Sequence, residues 1–496
     1  MRASTFASAL SVTAACLSVG PMEHLARAAT WTGTWSVSPQ SSSTTFAQQT
    51  LRQVVHTSIS GTAARIQLSN AFGTQPVTIA DVHIAQRSSG SSIVAGTDKT
   101  VTFGGQSSTT IAVGDVAVSD AVAFPVTALS DVAVSLYLPS GAGSATSHQL
   151  GNATNYVASG DVSGDATLSN PQTNQSYYFL VNLDVQNPLA TGAVVALGAS
   201  ITDGYQSTFD ANERWPNDLA SRVVDAGVTI GVLNQGISGN ALLTDGAGQS
   251  AIHRFSRDVL SQPGVRWVIV SDDPINDLGS GNPPTSDQLI AGLQQLIASA
   301  HASGLKYLCS TLTPFQGASY WTPTGETGRE AINAFLRSAS SGCDGIVDQD
   351  TATHDPSAPT QYLPAYDSGD HLHPNDLGYQ AIANAVDLTL FDLPSSPDDG
   401  GTGSDASEDA AAGDAPEDAG SVAAVDSGIA LAMDAGVSAP AGGDGGASSA
   451  ASDGGSGGGN AGGCAASAGD VAEAGPFAAL AIVVALGLRR RKHADA

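Results

Sequence analysis

Val194-Val195-Ala196-Leu197-Gly198-Ala199-Ser200-Ile201-Thr202-Asp203-Gly204 is the stretch that decides the fold. Its first four residues are apolar without alternation and run straight into a glycine and a small polar turn. A short, continuously apolar run of this kind predicts a strand buried on both faces, as in a parallel sheet.

The pattern recurs downstream. Strands are expected over 229–233, 267–270, 305–308 and 346–347. Helices are expected over 215–224, 252–260, 289–302, 327–339 and 376–388; Leu289, Leu293 and Leu296 share one apolar face of the third. Short apolar strands separated by helices predict an α/β domain over 191–393, with its site beyond the carboxyl ends of the strands. Upstream, the segments 51–59, 64–68, 77–84 and 132–138 alternate apolar and polar residues. Ser60-Gly61, Asn70-Ala71-Phe72-Gly73 and Ser140-Gly141 mark turns between them. Many short strands at this spacing predict an all-β, sandwich-like accessory domain over 29–190.

The ends of the chain read differently. Residues 1–28 have the pattern of an export signal: Arg2, an apolar stretch from Phe6 to Val19, and the small-x-small site Ala26-Arg27-Ala28. From Pro394 to Ala474 there are fourteen acidic residues, no Lys or Arg, and no aromatics. Such a stretch buries too little apolar area to offset its ordering entropy and predicts a disordered, self-repelling linker over 394–474. Phe477 to Leu488 is apolar and runs into Arg489-Arg490-Arg491-Lys492, so 475–496 reads as a short transmembrane helix with a basic tail. The run is shorter than the usual span of about 20 residues. This tail resembles the tripartite sorting signals of some Gram-negative bacteria, especially the myxobacterial kind, with Gly463-Cys464 as the matching motif. That resemblance implies interaction with a membrane or with sorting machinery, and export to the cell surface or beyond.

Lys and Arg number 18 against 46 Asp and Glu, a net charge of −28. No basic surface is available to neutralise phosphates, which argues against a nucleic-acid partner. Of four cysteines, Cys309 and Cys343 lie in the expected folded part, where an exported protein can pair them or bury them as thiols. No Cys/His cluster has zinc-site spacing, and the reading calls for no cofactor.

Ser200 ends a strand and precedes a helical region, where a turn can lift a hydroxyl above the sheet. Asp370-His371-Leu372-His373-Pro374 forms a polar loop just before the last helix. Pro374 keeps His373 extended, and Asn375 or Asp376 is placed to cap the helix. Asp370 and His373 fit within one turn, so a neutral imidazole can take the serine proton while the carboxylate fixes its tautomer. Ser200 N–H, Gly239 and Asn276 follow expected strand ends and are candidate donors to a tetrahedral oxyanion.

With these residues the chain resembles the SGNH, or GDSL-type, hydrolases. That family has a serine block, here Gly198-Ala199-Ser200, and an oxyanion glycine and asparagine, here Gly239 and Asn276. Its fourth block, Asp-x-x-His, is here Asp370 to His373. A secreted bacterial subgroup carries an N-terminal β domain that opens in Trp-x-Gly-x-Trp, here Trp31 to Trp35. The resemblance implies a flavodoxin-like three-layer fold and hydrolysis of short-chain, acetylated-carbohydrate or lipid esters. Two departures stand out: Ala199 replaces an Asp beside the serine, and Pro274 replaces a glycine in the turn that aims Asn276. These departures motivate an alternative, a catalytically weakened carbohydrate- or envelope-binding protein. Asp272, Asp273, Asp370 and His373 motivate a third, a metal-dependent phosphoesterase.

Overall fold

The computed structural model describes residues 30–391, apart from residue 142. The expected export signal, acidic linker and apolar-basic tail, with Cys16 and Cys464, lie outside the described residues. Among the described residues no helix is long and apolar enough to cross a membrane.

Five short apolar runs form a parallel sheet: β1 (Gly192–Gly198), β2 (Ile230–Gly236), β3 (Val265–Val270), β4 (Lys306–Ser310) and β5 (Gly345–Val347), in the order β2-β1-β3-β4-β5. Every pairing is parallel. Val194, Val195 and Leu197 are wholly buried, as are Val268, Ile269 and Leu308. The helices are α1 (Ser200–Asp203), α2 (Trp215–Asp225), α3 (Ala251–Phe255), α4 (Asp273–Leu278), α5 (Ser286–Ala302), α6 (Pro323–Arg337), α7 (Gln349–Thr353) and α8 (Asp376–Asn384). The order reverses between β2 and β3, on either side of β1, and this opens a crevice above the carboxyl end of β1.

Two helical expectations change in detail, and one more helix bears on the site. The helix expected over 252–260 is α-helical only to Phe255 and continues as a π turn over Ser256–Leu260. The helix expected over 376–388 stops at Asn384, where the Arg222 guanidinium donates to the carbonyl oxygens of Ala383 and Val386. A further helix, α4, was not foreseen. Pro274 sits in its first turn, where the missing N–H costs no intrahelical bond. The turn that carries Asn276 is therefore helical, and proline is compatible with it.

Residues 31–186 form antiparallel sheets. Strands Trp31–Ser36, Leu180–Gln186, Ala63–Ser69 and Val116–Val118 make one sheet. A larger sheet is built on Gln49–His56, Asp131–Leu138 and Val77–Ser89. Their inward residues, among them Leu51, Ile66, Ile79, Leu136 and Leu183, share one apolar core, so the arrangement is a sandwich. This β layer packs directly on β2. Two glycines permit the approach: a Cβ on Gly231 would lie 2.0 Å from the Gly33 carbonyl oxygen, and one on Gly33 would lie 2.8 Å from Leu233. Gly33 is the central residue of the Trp31 to Trp35 segment, so its glycine is required by inter-layer packing. Polar bonds cross the same boundary: Ser58 Oγ accepts Val232 N–H at 3.0 Å, and Gln235 donates to Ser36 Oγ at 2.7 Å.

Candidate active site

Ser200 occupies the first position of α1, directly after the end of β1, and is 8% exposed. The turn is held from below by Asp272, which follows β3. The Asp272 carboxylate accepts Ala199 N–H at 3.0 Å, Ile201 N–H at 2.8 Å and the Thr202 hydroxyl at 2.7 Å. Ala199 leaves no carboxylate on the turn itself, and Asp272 brings one from the neighbouring strand end. With the flanking amides taken, Ser200 N–H is left without an acceptor among the described residues. Gly204 closes α1 at φ 99°, a left-handed conformation that favours glycine.

The 367–374 loop brings the other two groups to the serine. His373 Nε2 lies 2.8 Å from Ser200 Oγ, and His373 Nδ1 lies 2.7 Å from Asp370 Oδ2. Asp370 Oδ1 also accepts the N–H groups of Leu372 and His373, at 2.9 and 2.8 Å. Burial acts to raise the Asp370 carboxyl, but the hydrogen bonds from the His373 ring and from the two backbone amides outweigh it. The group therefore sits below the usual carboxylate range. The Tyr205 ring stands edge-on to His373 at 4.6 Å and restricts the imidazole. Asn375, rather than Asp376, caps α8 by accepting Gly378 N–H. His371 turns away and pairs with Asp367 at 2.6 Å.

Gly239 follows β2 at φ 79°, and its N–H has no acceptor among the described residues. Asn276 lies on α4; its amide donates to the Asn240 carbonyl at 2.8 Å, and its Oδ1 accepts the Tyr320 hydroxyl at 3.1 Å. One amide hydrogen of Asn276 thus stays free for the cleft. Ser200, Gly239, Asn276, Asp370 and His373 all line one cleft of about 420 Å³. All five residues expected from the sequence meet there.

Several supporting residues were not foreseen. Arg254, wholly buried, donates to Gly198 O at 2.9 Å, Gln235 O at 2.6 Å and Asn240 Oδ1 at 3.0 Å. It therefore ties together the ends of β1 and β2 and the residue after Gly239. The supporting roles of Asp203, Asp272, Tyr205 and Tyr320 were also not foreseen, since nothing in the local sequence marks which residue reaches a neighbouring strand end or turn. Among the described residues, no group of three His, Cys, Asp or Glu side chains is placed to hold a metal ion. Asp272 is engaged by the serine turn, and Asp273, the first residue of α4, is buried against Arg254 at 3.5 Å. The site can take a proton from a hydroxyl, hold the resulting imidazolium against a carboxylate, and present N–H donors to negative charge.

The description "GDSL-like Lipase/Acylhydrolase family" matches residues 196–381. No curated protein matches the chain. Among solved structures, a GDSL-like lipase from Bacteroides thetaiotaomicron is 17% identical, covers 40% of this chain and 88% of its own, and has a TM-score of 0.32. An acetylxylan esterase from Geobacillus stearothermophilus is 19% identical, with 41% and 96% covered and a TM-score of 0.32. An alpha/beta hydrolase enzyme from the metagenome of Lake Arreo, Spain, is 20% identical, with 41% and 96% covered and a TM-score of 0.33. The matched segment begins within β1 and ends within α8, and so contains the serine turn, both candidate oxyanion donors and the Asp-x-x-His loop. The α/β part of this chain, residues 196–381, belongs to the GDSL-like lipase/acylhydrolase family.

Proposed function

We propose that the protein is an exported serine esterase acting through an acyl-serine intermediate. His373 Nε2 takes the Ser200 proton as Oγ attacks the ester carbonyl carbon. The tetrahedral oxyanion is received by the N–H groups of Ser200 and Gly239 and by the Asn276 amide. On collapse, the alcohol leaves with the proton from His373. Water then attacks the acyl-serine with His373 again as base, and the carboxylic acid departs. Asp370 holds the ring in the tautomer whose Nε2 accepts. The observation that carries this reading is the unbroken relay at 2.7 and 2.8 Å from carboxylate through imidazole to hydroxyl.

The substrates are carboxylic esters of short acyl chains, of acetylated carbohydrate or of lipid; the open cleft of about 420 Å³ has room for one such group. Export is supported by the pattern of residues 1–28, and a membrane or sorting role by residues 475–496. The Cys309–Cys343 disulfide, with Cα atoms 5.7 Å apart, fits an oxidising compartment. Ala199 and Pro274, which motivated a binding-only reading, leave the serine turn and Asn276 in place.

The test is hydrolysis of p-nitrophenyl acetate together with labelling by an organophosphonate. Wild type is expected to label covalently and turn over. Ser200→Ala is expected to do neither, and His373→Ala to lose about three orders of magnitude or more in kcat. Equal labelling or turnover by Ser200→Ala would falsify the acyl-serine mechanism.

A further inference from the structure

The β layer sends a buried histidine beneath the cleft. His148, on the strand Thr146–His148, is 3% exposed. Its Nδ1 faces the Ser38 carbonyl at 3.0 Å; its Nε2 faces the Leu150 carbonyl and Asp203 Oδ1, both at 3.1 Å. Both ring nitrogens thus face oxygen atoms within hydrogen-bond distance. Asp203 is 1% exposed and stands three residues after Ser200. Its other oxygen accepts the Ser238 N–H at 2.8 Å and the Ser238 hydroxyl at 2.7 Å. Ser238 is the residue immediately before Gly239. Removing one partner of a buried hydrogen-bonded pair leaves the other unsatisfied, so Asp203 depends on His148 to stay aimed at Ser238.

We propose that His148 is a positioning residue for ester hydrolysis: through Asp203 it holds the Ser238–Gly239 turn so that the Gly239 N–H faces the developing oxyanion. The β layer then supports the catalytic site, although none of its residues lines the cleft. This rests on the reading of Gly239 as an oxyanion donor. An oxyanion donor counts only when it is fixed before charge develops, so a loosened turn lowers the rate without lowering substrate affinity.

The experiment measures kcat and KM on p-nitrophenyl acetate for His148→Ala, His148→Gln, Asp203→Asn and the His148→Ala/Asp203→Asn double variant. Asn182→Ala is the control. Asn182 donates to Gln262 at 2.6 Å across the same layer boundary, but near the amino end of the sheet, away from the cleft. His148→Ala is expected to lower kcat about tenfold to a hundredfold, with KM within about twofold of wild type. Asp203→Asn is expected to match it, and the double variant to lose no more than either single change. His148→Gln, which restores one donor, is expected to recover part of kcat and carries the comparison if the alanine variant does not fold. Asn182→Ala is expected to keep wild-type kcat.

A wild-type kcat in both His148 variants overturns the proposal. So does a loss in the His148 variants that only tracks melting temperature, as in Asn182→Ala. Full activity in Ser200→Ala would instead remove the reading of the site itself; an inactive Ser200→Ala beside a fully active His148→Ala removes only this inference.

Discussion

Tyr320 shows how much of the site is carried by a residue with no motif. Its hydroxyl donates to Asn276 Oδ1 at 3.1 Å, while the Asn276 amide nitrogen is tied to Asn240 O. Burial pushes the Tyr320 phenol well up, with the charges of Asp272 and Asp370 adding to the effect, so it remains a donor through the working range. Accepting that bond polarises the amide and fixes its plane. Tyr320→Phe is expected to lower kcat about fivefold, near 1 kcal/mol, with KM little changed. Steady-state kinetics on an aryl ester decide it, and an unchanged kcat would show that Asn276 is held by Asn240 alone. Ser200, Asp370 and His373 were legible because their chemistry and chain order are distinctive. Tyr320 was not, because a tyrosine in a loop has the same local signature whether it packs, binds or orients.

Among the elements, α4 is the one the sequence least disclosed. Asp272-Asp273-Pro274 reads as a polar turn, yet it begins a helix whose first turn accommodates the proline. The element also buries a carboxyl. Burial pushes Asp273 up to about 7, against the pull of Arg254 and with help from Asp272 and Asp277. In the unfolded chain the same group titrates near 4. Between about pH 4 and 7 the folded state therefore holds a proton that the unfolded state has released, and stability from this group falls as pH rises through that window. The loss is on the order of 4 kcal/mol by pH 8. Asp273→Asn is expected to flatten that fall, so that its melting temperature relative to wild type improves from pH 4 to pH 8. Parallel curves for the two proteins would show that Asp273 does not titrate in this window. Strand positions, by contrast, were readable: β1 and the central residues 267–270 of β3 and 307–309 of β4 are buried and apolar, as a sheet covered on both faces requires.

Across the whole molecule, the two regions are joined by contacts between residues far apart in the chain. Gly33 meets Gly231, Ser38 meets Gln235, and His148 meets Asp203. The β layer and the α/β layer thus share a boundary that reaches the cleft. The chain's ends belong to the same scale. If residues 1–28 direct export and 475–496 direct sorting, fractionation of the producing cells will find the protein in the envelope or medium, with Cys309 and Cys343 resistant to alkylation until reduced. Recovery in the cytoplasm with two free thiols would refute export.

The sequence by itself determined the layer types, the order of the main strands of the parallel sheet along the chain, and five of the residues that line the cleft. Those depend on local periodicity and on residue types whose chemistry is scarce. Only the tertiary structure decided which carboxylate supports the serine turn, how Asn276 is aimed past a proline, and why a histidine of the β layer stands under the cleft. Each of these is a meeting of groups tens of residues apart, and a hydrogen bond acts over about 3 Å of space whatever the separation along the chain.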